Sequence, residues 1–440
     1  MSTTSTVTLP QQPARRIPPI FRSLRHRNYR LWFFGQGISL VGTWMQTMAQ
    51  QVLVYRLTGS AASLGFISFI GLIPVIPLSL WSGSISDRFS KRTIILAMQC
   101  TMLFQALLLA YLSWTGIIQI WHVYVLAFFL GAANAIDLPA RQAFTVEMVE
   151  GRDDLANAIG LNSAMFNGAR ALGPALAGLI VATTGEGMAF LINALTFFTV
   201  IISLLMMRNL PKPRPFNKVN LVQHLGEGVR FIITRQSILV LISLIAVSAF
   251  LSMPYSTLMP VFAGDVLQES SGPVIQTLCG GTIPFIRCQS PEALPLGILL
   301  TMVGIGAVVG AFIVAALPNR STRGKLLTVG NLIFPLALAI FAFSKSFLIS
   351  AAILFIVGIS FVLQNSLANI ILQIITPDEV RGRVMSFYTL TFQTMMRLGG
   401  LQAGFMADGI GASLSVGLGA ILSLFYGLFI AFRYPLLRRQ

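Results

Sequence analysis

The feature that most constrains this chain is a succession of uncharged apolar runs of bilayer length, such as Thr93 to Trp114 and Ala412 to Phe432. A hydrocarbon core of about 30 Å takes about 20 residues of α-helix, each rising about 1.5 Å. Within lipid, every backbone N–H and C=O must find its partner inside the protein. A lipid-facing barrel would show segments of about 10 residues with alternating polarity. The runs here are continuous Leu, Ile, Phe and Ala, so they read as helices. The composition agrees: 55% of the 440 residues are hydrophobic and only 10% are charged. The predicted class is an all-α membrane protein.

Apolar runs and their breaks predict twelve spans, at 29–56, 62–85, 93–115, 119–147, 155–184, 187–208, 236–264, 295–317, 325–345, 347–375, 381–408 and 412–434. They are numbered spans 1 to 12 below. Residues 1–28 are expected to form a cytoplasmic tail, 29–208 a first six-helix bundle and 236–440 a second. The linker 209–235 between them is marked by Pro211, Pro213 and Pro215, which stop a helix, and by Lys212, Arg214 and Lys218, which hold it in water. Its second part, Val219 to Ile233, has apolar positions at helical spacing and is expected to lie along the membrane surface. The loop 265–295, rich in Gly, Pro and Ser, reads as a small lid or an insertion.

The halves look like repeats. Gly83, Gly131, Arg170 and Gly173 each have an identical residue 227 positions later, at Gly310, Gly358, Arg397 and Gly400. Tandem six-helix repeats about an axis along the membrane normal are a known transporter plan, with the solute held between the halves. Two pseudo-symmetric six-helix bundles are therefore expected.

The net charge of +16 does not point to nucleic acid, because it follows the loops. All but six of the 30 Lys and Arg fall in alternating loops and the termini. Arg56, Arg287 and Lys345 lie on the other side, and Arg141, Arg170 and Arg397 lie within spans. The positive-inside rule then puts both termini in the cytoplasm of a multi-pass plasma (inner) membrane protein. Residues 1 to 30 hold six arginines and no long apolar core, so span 1 is expected to serve as its own retained targeting segment. Cys279 and Cys288 share one non-cytoplasmic loop, where a disulfide or two free thiols are both open readings.

After span 2 stands Gly83-Ser-Ile-Ser-Asp87-Arg88-Phe-Ser-Lys91-Arg92. Gly83 permits close helix approach, and Asp87 can accept hydrogen bonds from a neighbouring helix N-terminus. Gly83, Asp87, Arg88 and Arg92 are thus candidates for a conformational gate; the plainer reading is a turn with positive-inside charge. The string resembles the G-x-x-x-D-R-x-G-R-K motif of the major facilitator superfamily, with Ser90 where the family usually has glycine. Asn28-Tyr-Arg-Leu-Trp32, Asp137-Leu-Pro-Ala-Arg141, Ala169-Arg-Ala-Leu-Gly-Pro174 and Val380-Arg-Gly-Arg-Val384 are similar to the branch of that superfamily containing the enterobactin exporter and macrolide efflux proteins, the transmembrane secretion effectors. The resemblance implies proton-driven export of a small siderophore- or drug-like molecule by alternating access, with spans 1, 4, 7 and 10 lining the cavity. Import or uniport of a small organic anion, and a non-transporting membrane sensor or scaffold of the same fold, are the alternatives.

Polar positions inside the spans supply candidate cavity residues: Gln36, Ser39, Thr43, Gln46 and Gln50 in span 1, Asn134 and Thr145 in span 4, Ser248, Ser252 and Tyr255 in span 7, and Asn365, Asn369 and Gln373 in span 10. Helix-to-helix hydrogen bonding is the competing reading, since Gln99 and Gln105 occur in span 3. Each ionisable group deep in a span costs about 2.5 to 3.5 kcal/mol on insertion scales, so Asp137, Arg141, Arg170 and Arg397 need a reason. Asp137 and Arg141, four residues apart, are the proton-coupling candidate or else a fixed pair bracing the bend at Pro139. Arg170 and Arg397 are cavity candidates suited to a carboxylate or phenolate, or symmetric structural contacts.

No catalytic residue emerges. A phosphate loop of the G-x-x-x-x-G-K-[ST] kind is absent, His26, His122 and His224 are scattered, and no cysteine has metal-ligand spacing. The chain is expected to be a non-enzyme without cofactor or metal, energised by a proton gradient. It should work as a monomer in the lipid bilayer on a small-molecule substrate, with no nucleic acid partner.

Overall fold

In the computed structural model the described residues are 19–75, 77–78, 89–149, 151–208, 210, 221–279, 288, 290–317 and 320–434. Their regular structure is all helical. Span 1 runs Arg27–Thr58, span 3 Lys91–Trp114, span 4 Ile120–Met148, span 5 Arg152–Thr184 and span 6 Glu186–Met206. In the second half, span 8 is Ala293–Ala315, span 9 Arg320–Phe343, span 10 Phe347–Ile375, span 11 Asp378–Ile410 and span 12 Ala412–Arg433. Among the described residues, nine helices have the length and apolarity to cross a membrane. Spans 1 and 11 have the length, at 32 and 33 residues, with more polar side chains. Large apolar residues point outward, among them Phe312 at 71% and Phe432 at 79% exposure, a surface that needs lipid rather than water around it.

The repeat seen in the sequence is a repeat of contacts. Gly131 lets span 4 close on the backbone of Gly71 in span 2, and Gly358 lets span 10 close on Val303 and Ala307 in span 8. Gly173 seats span 5 against Val41 and Trp44 of span 1, as Gly400 seats span 11 against Thr257 of span 7. With no lipid-versus-lipid hydrophobic gain to drive association, such close backbone approach supplies much of the attraction between membrane helices.

Two spans depart from the expected continuous helix. Span 2 is regular over Ala61–Ile70, turns over residues 71–74, and is helical again at Val75, Pro77 and Leu78 among the described residues; Pro74 and Pro77 have no N–H to donate. There Val75 N bonds to Leu72 O at 2.9 Å instead of reaching back to Gly71, which leaves the Gly71 carbonyl open. Span 7 is Gln236–Leu251 and Tyr255–Val261, interrupted at Ser252–Pro254 and continued by a π-turn over Phe262–Val266; Pro254 and Pro260 account for both irregularities. The following loop is tied down at its described residues. It holds a helix, Gln268–Cys279, a Cys279–Cys288 disulfide with Cα atoms 5.6 Å apart, and a bond from Ser290 N to Ala182 O at 3.0 Å that ties it to span 5. The linker helix forms over Leu221–Thr234 and packs Phe231 and Ile232 into the second half.

The cores show how the halves meet. One core joins both halves, with Leu53, Leu64 and Phe190 packed in a common cluster with Leu258, Phe262, Leu299 and Ala403. Two others stay within single halves, near the face that carries the chain ends. Trp32, Ile95, Phe144 and Leu204 form one, and Leu241, Leu327, Leu372 and Tyr388 form the other. The halves are thus fused on the far face and separate on the terminal face.

Candidate functional site

The wedge between the separate cores is where polar groups are held at membrane depth. Trp32 of span 1 meets Phe144 of span 4 edge-on at 5.8 Å, and with Ile95 of span 3 closes the terminal end of the first bundle. Deeper on the same three helices stand Gln36 and Gln99, one turn from Trp32 and Ile95, and Asp137, two turns from Phe144. Asp137 is 1% exposed and is ion-paired through Oδ2 to Arg141 Nε, whose side chain keeps 18% exposure. The Gln99 side chain interacts with its carboxylate, while the Gln36 Oε1 and the Ser39 Oγ are buried with no hydrogen-bond partner among the described residues. Polar atoms left in this condition cost about 1–3 kcal/mol each.

The repeat supplies a control for Asp137. At the same offset of 227 stands Gln364, 2% exposed, which accepts from Ser248 Oγ at 3.1 Å and donates to Asn331 Oδ1 at 2.9 Å. One half therefore places a hydrogen-bonded neutral amide where the other places a carboxylate paired to an arginine.

Arg170 and Arg397 also differ. Arg397 Nη1 crosses to the other half and donates to the freed Gly71 carbonyl at 3.0 Å. Arg170 likewise crosses, but its guanidinium carbon lies 5.3 Å from the Phe361 ring centre, and its Nε and Nη2 are buried without an acceptor among the described residues. A guanidinium over a ring with open donors is suited to receive a planar anion.

Other predicted cavity residues divide. Gln46 is turned into the first bundle, its Nε2 donating to Gln105 Oε1 at 3.0 Å and its Oε1 accepting from Asn193 Nδ2 at 2.6 Å. The expectation that Gln46 faces solute is corrected, since both amide atoms are engaged in tying spans 1, 3 and 6 together. Gln36, 3% exposed, belongs to the Asp137 layer rather than to the open surface. Thr43 and Asn134 are exposed and bond only to Ser39 O and Leu130 O of their own helices, at 2.9 Å each, while Gln50 is half-exposed. Asn365 accepts from Tyr388 OH at 3.0 Å, and Asn369 from Gln373 Nε2 at 2.6 Å. Of the gate candidates, Gly83, Asp87 and Arg88 lie outside the described residues. Arg92 donates to Leu205 O at 3.2 Å, satisfying a carbonyl at the end of span 6.

Sequence reasoning missed three features. Asp408 of span 11 accepts from Ala61 N at 2.7 Å, Ala62 N at 3.2 Å and Ser60 Oγ at 2.6 Å, across the interface. Tyr55 of span 1 donates to Asp265 beside it, also across the interface. On the terminal face, Asp154 is buried under Arg22 at 2.6 Å, Arg25 at 2.7 Å and His26 at 2.8 Å. The hydrogen bond from His26 and the two guanidinium charges hold its carboxyl below the usual carboxylate range. The only sequence signal is an acidic residue near a span end in each case, with no local pattern that names its partners. Among the described residues no group of three or more His, Cys, Asp or Glu could hold a metal ion.

Comparison with known proteins places this geometry. The family model described as transmembrane secretion effector matches residues 19–281 and 282–439. The staphyloferrin A transporter of Staphylococcus aureus is 22% identical, over 86% of this chain and 90% of that protein. The enterobactin exporter EntS of Escherichia coli is 24% identical, over 90% of this chain and 86% of that one. In structure, the nucleoside transporter NupG superposes with a TM-score of 0.66 at 14% identity, over 93% of this chain and 99% of that chain. A bacterial homologue of the lysosomal transporter Spinster, in an inward-facing and unoccupied conformation, gives 0.63 at 14% identity, over 94% and 97%.

Proposed function

The chain belongs to the transmembrane secretion effector family of major facilitator transporters, and from that premise we propose that it exports a small, anionic, siderophore- or drug-like molecule by proton-coupled alternating access. The observation that carries this reading is the wedge itself. Halves that share a core on one face and hold separate cores on the other fit one end state of a rocking cycle.

Each part of the cycle has a residue suited to it. The unpaired Nε and Nη2 of Arg170, over the Phe361 ring, fit a carboxylate or phenolate on an aromatic or polydentate solute. Two relatives, named as a staphyloferrin A transporter and an enterobactin exporter, support a siderophore-like solute. Asp137 is the proton site in this reading: a proton on the carboxylate would loosen the Arg141 pair, and solute arrival would favour its loss. The satisfied Gln364 in the other repeat argues against a purely architectural need for charge at that depth.

In this reading both termini face the cytoplasm of a plasma membrane, the proton gradient is the energy source, and the unit is a monomer in lipid. The test is solute accumulation in inverted vesicles under an imposed proton gradient, with staphyloferrin A, enterobactin and citrate as probes. Gradient-dependent uptake of an anionic probe is the expected result. Uptake unaffected by collapsing the gradient would remove proton coupling, and outward loss from the same vesicles would reverse the direction.

A further inference from the structure

We propose that Asp408 is a borrowed cap that holds the far-face gate shut: it completes the N-terminus of span 2 from the opposite half of the molecule, and alternating access requires that it let go. The proposal rests on the transport reading above and assigns the gate's own machinery.

A helix N-terminus presents backbone N–H groups with no partner inside the helix, together with the positive end of its dipole. At span 2 these donors are shared between two residues. Ser60 Oγ, on the same chain segment, accepts from Ser63 N at 3.3 Å. The carboxylate of Asp408, from span 11, takes Ala61 N on Oδ1 at 2.7 Å and Ala62 N on Oδ2 at 3.2 Å. Ser60 Oγ also donates to that Oδ2 at 2.6 Å, so the local cap and the borrowed one are locked together. The bonds join residues 346 to 348 positions apart in sequence and belong to opposite halves.

The helices beneath this clasp are packed as a removable joint. Gly404, one turn from Asp408, lies against the backbone of Ala61 and Ala62, and Gly65 against Gly400 and Leu401. Backbone meets backbone with little side-chain interdigitation to undo, which suits surfaces that part and meet again. Tyr55 and Asp265 make a second closure across the same face, and Gln51 Nε2 reaches Ser256 O at 3.4 Å between them. Asp408 itself is exposed, so water can take over the span 2 donors when the clasp opens. A cap that water replaces gives a closure that is directional yet reversible.

The experiment uses the full chain carrying Cys100→Ser, so that Cys100, the free thiol among the described cysteines, is removed. One reporter is Gln51→Cys, under the clasp. The other is Asn134→Cys, exposed on span 4 toward the wedge. A membrane-impermeant maleimide is applied to intact cells for the far face and to inverted vesicles for the terminal face. Adding Asp408→Ala should raise far-face labelling of Gln51→Cys about three- to tenfold and lower terminal-face labelling of Asn134→Cys, the worth of a charged cap. Ser60→Ala, which keeps the carboxylate, should move both in the same directions by less.

Reciprocal change is the signature of a gate. A rise at both reporters means loosened folding and overturns the proposal, as does no change at either. The underlying transport reading has its own arm: a parent protein whose Gln51→Cys is never labelled from the far face, at any time of exposure, does not alternate at all.

Discussion

Arg397 on span 11 donates to the carbonyl of Gly71 on span 2 at 3.0 Å, a bond that exists because span 2 leaves its helix at that residue. Its repeat partner Arg170 has open donors over Phe361 instead. The two arginines should therefore fail differently when replaced. Arg170→Gln is expected to weaken uptake of an anionic probe about tenfold or more through KM, the scale of a hydrogen bond to a charged group. Arg397→Gln is expected to act on turnover, with KM within about twofold, because its bond is to backbone across a moving interface. Equal effects on both parameters in vesicle transport kinetics would refute the distinction.

Asp137 and Gln364 make a second unequal pair. Asp137→Asn should leave the protein folded and abolish the dependence of uptake on the proton gradient. Gln364→Leu should leave that dependence intact and lower thermal stability, because Ser248 and Asn331 lose their partner at about 1–3 kcal/mol for an unsatisfied buried group. Melting curves in detergent and gradient-jump transport, measured on both variants, separate the two outcomes.

Two glycines on span 5 give a packing test within one helix. A Cβ at Gly168 would meet nothing within 4 Å, so Gly168→Ala should be neutral or stabilise by up to about 1 kcal/mol, from reduced chain entropy. A Cβ at Gly173 would press on Val41 O at 3.0 Å and on Trp44 closer still, so Gly173→Ala should cost about 1–3 kcal/mol as overpacking. Equal melting temperatures for the two variants would be inconsistent with the described contact of spans 1 and 5.

Asp154 ties acid stability to the N-terminal segment. Its carboxyl is held low by His26, Arg25 and Arg22, while in an unfolded chain it titrates at about 4. A depressed carboxylate contributes stability that is fully present above the unfolded value and is lost as pH falls through the folded one. Asp154→Asn should thus lower the melting temperature at pH 7, and the gap to wild type should close on acidification below about pH 4. A gap that stays constant from pH 7 to pH 3 would mean the ion cluster does not govern it.

The helical plan was legible because lipid imposes one solution on long apolar runs, and the glycine repeat because close backbone contact admits only the smallest residue. Thr93 to Trp114 and Gly131 with Gly358 needed no tertiary knowledge. The break of span 2 was hidden in plain sight at Pro74 and Pro77: membrane helices tolerate proline, so its presence does not decide between a bend and a stop. Gln46 was misassigned because helical spacing gives an angle on one helix but not which neighbour occupies that angle. Asp408 was invisible for a related reason, since its partners lie at residues 60 to 62 and no local pattern links them. The separate fates of Arg170 and Arg397, identical in the repeat, follow from neighbours that the repeat does not copy: Phe361 stands where the first half has Asn134.

The cystine between residues 279 and 288 carries a message about manufacture. In the orientation proposed above, the link between these sulfurs closes only once the seventh crossing has delivered that segment to the oxidising side of the membrane. A molecule threaded the other way would keep both of these sulfhydryls alongside Cys100, a difference of two alkylatable groups that a simple gel shift can count.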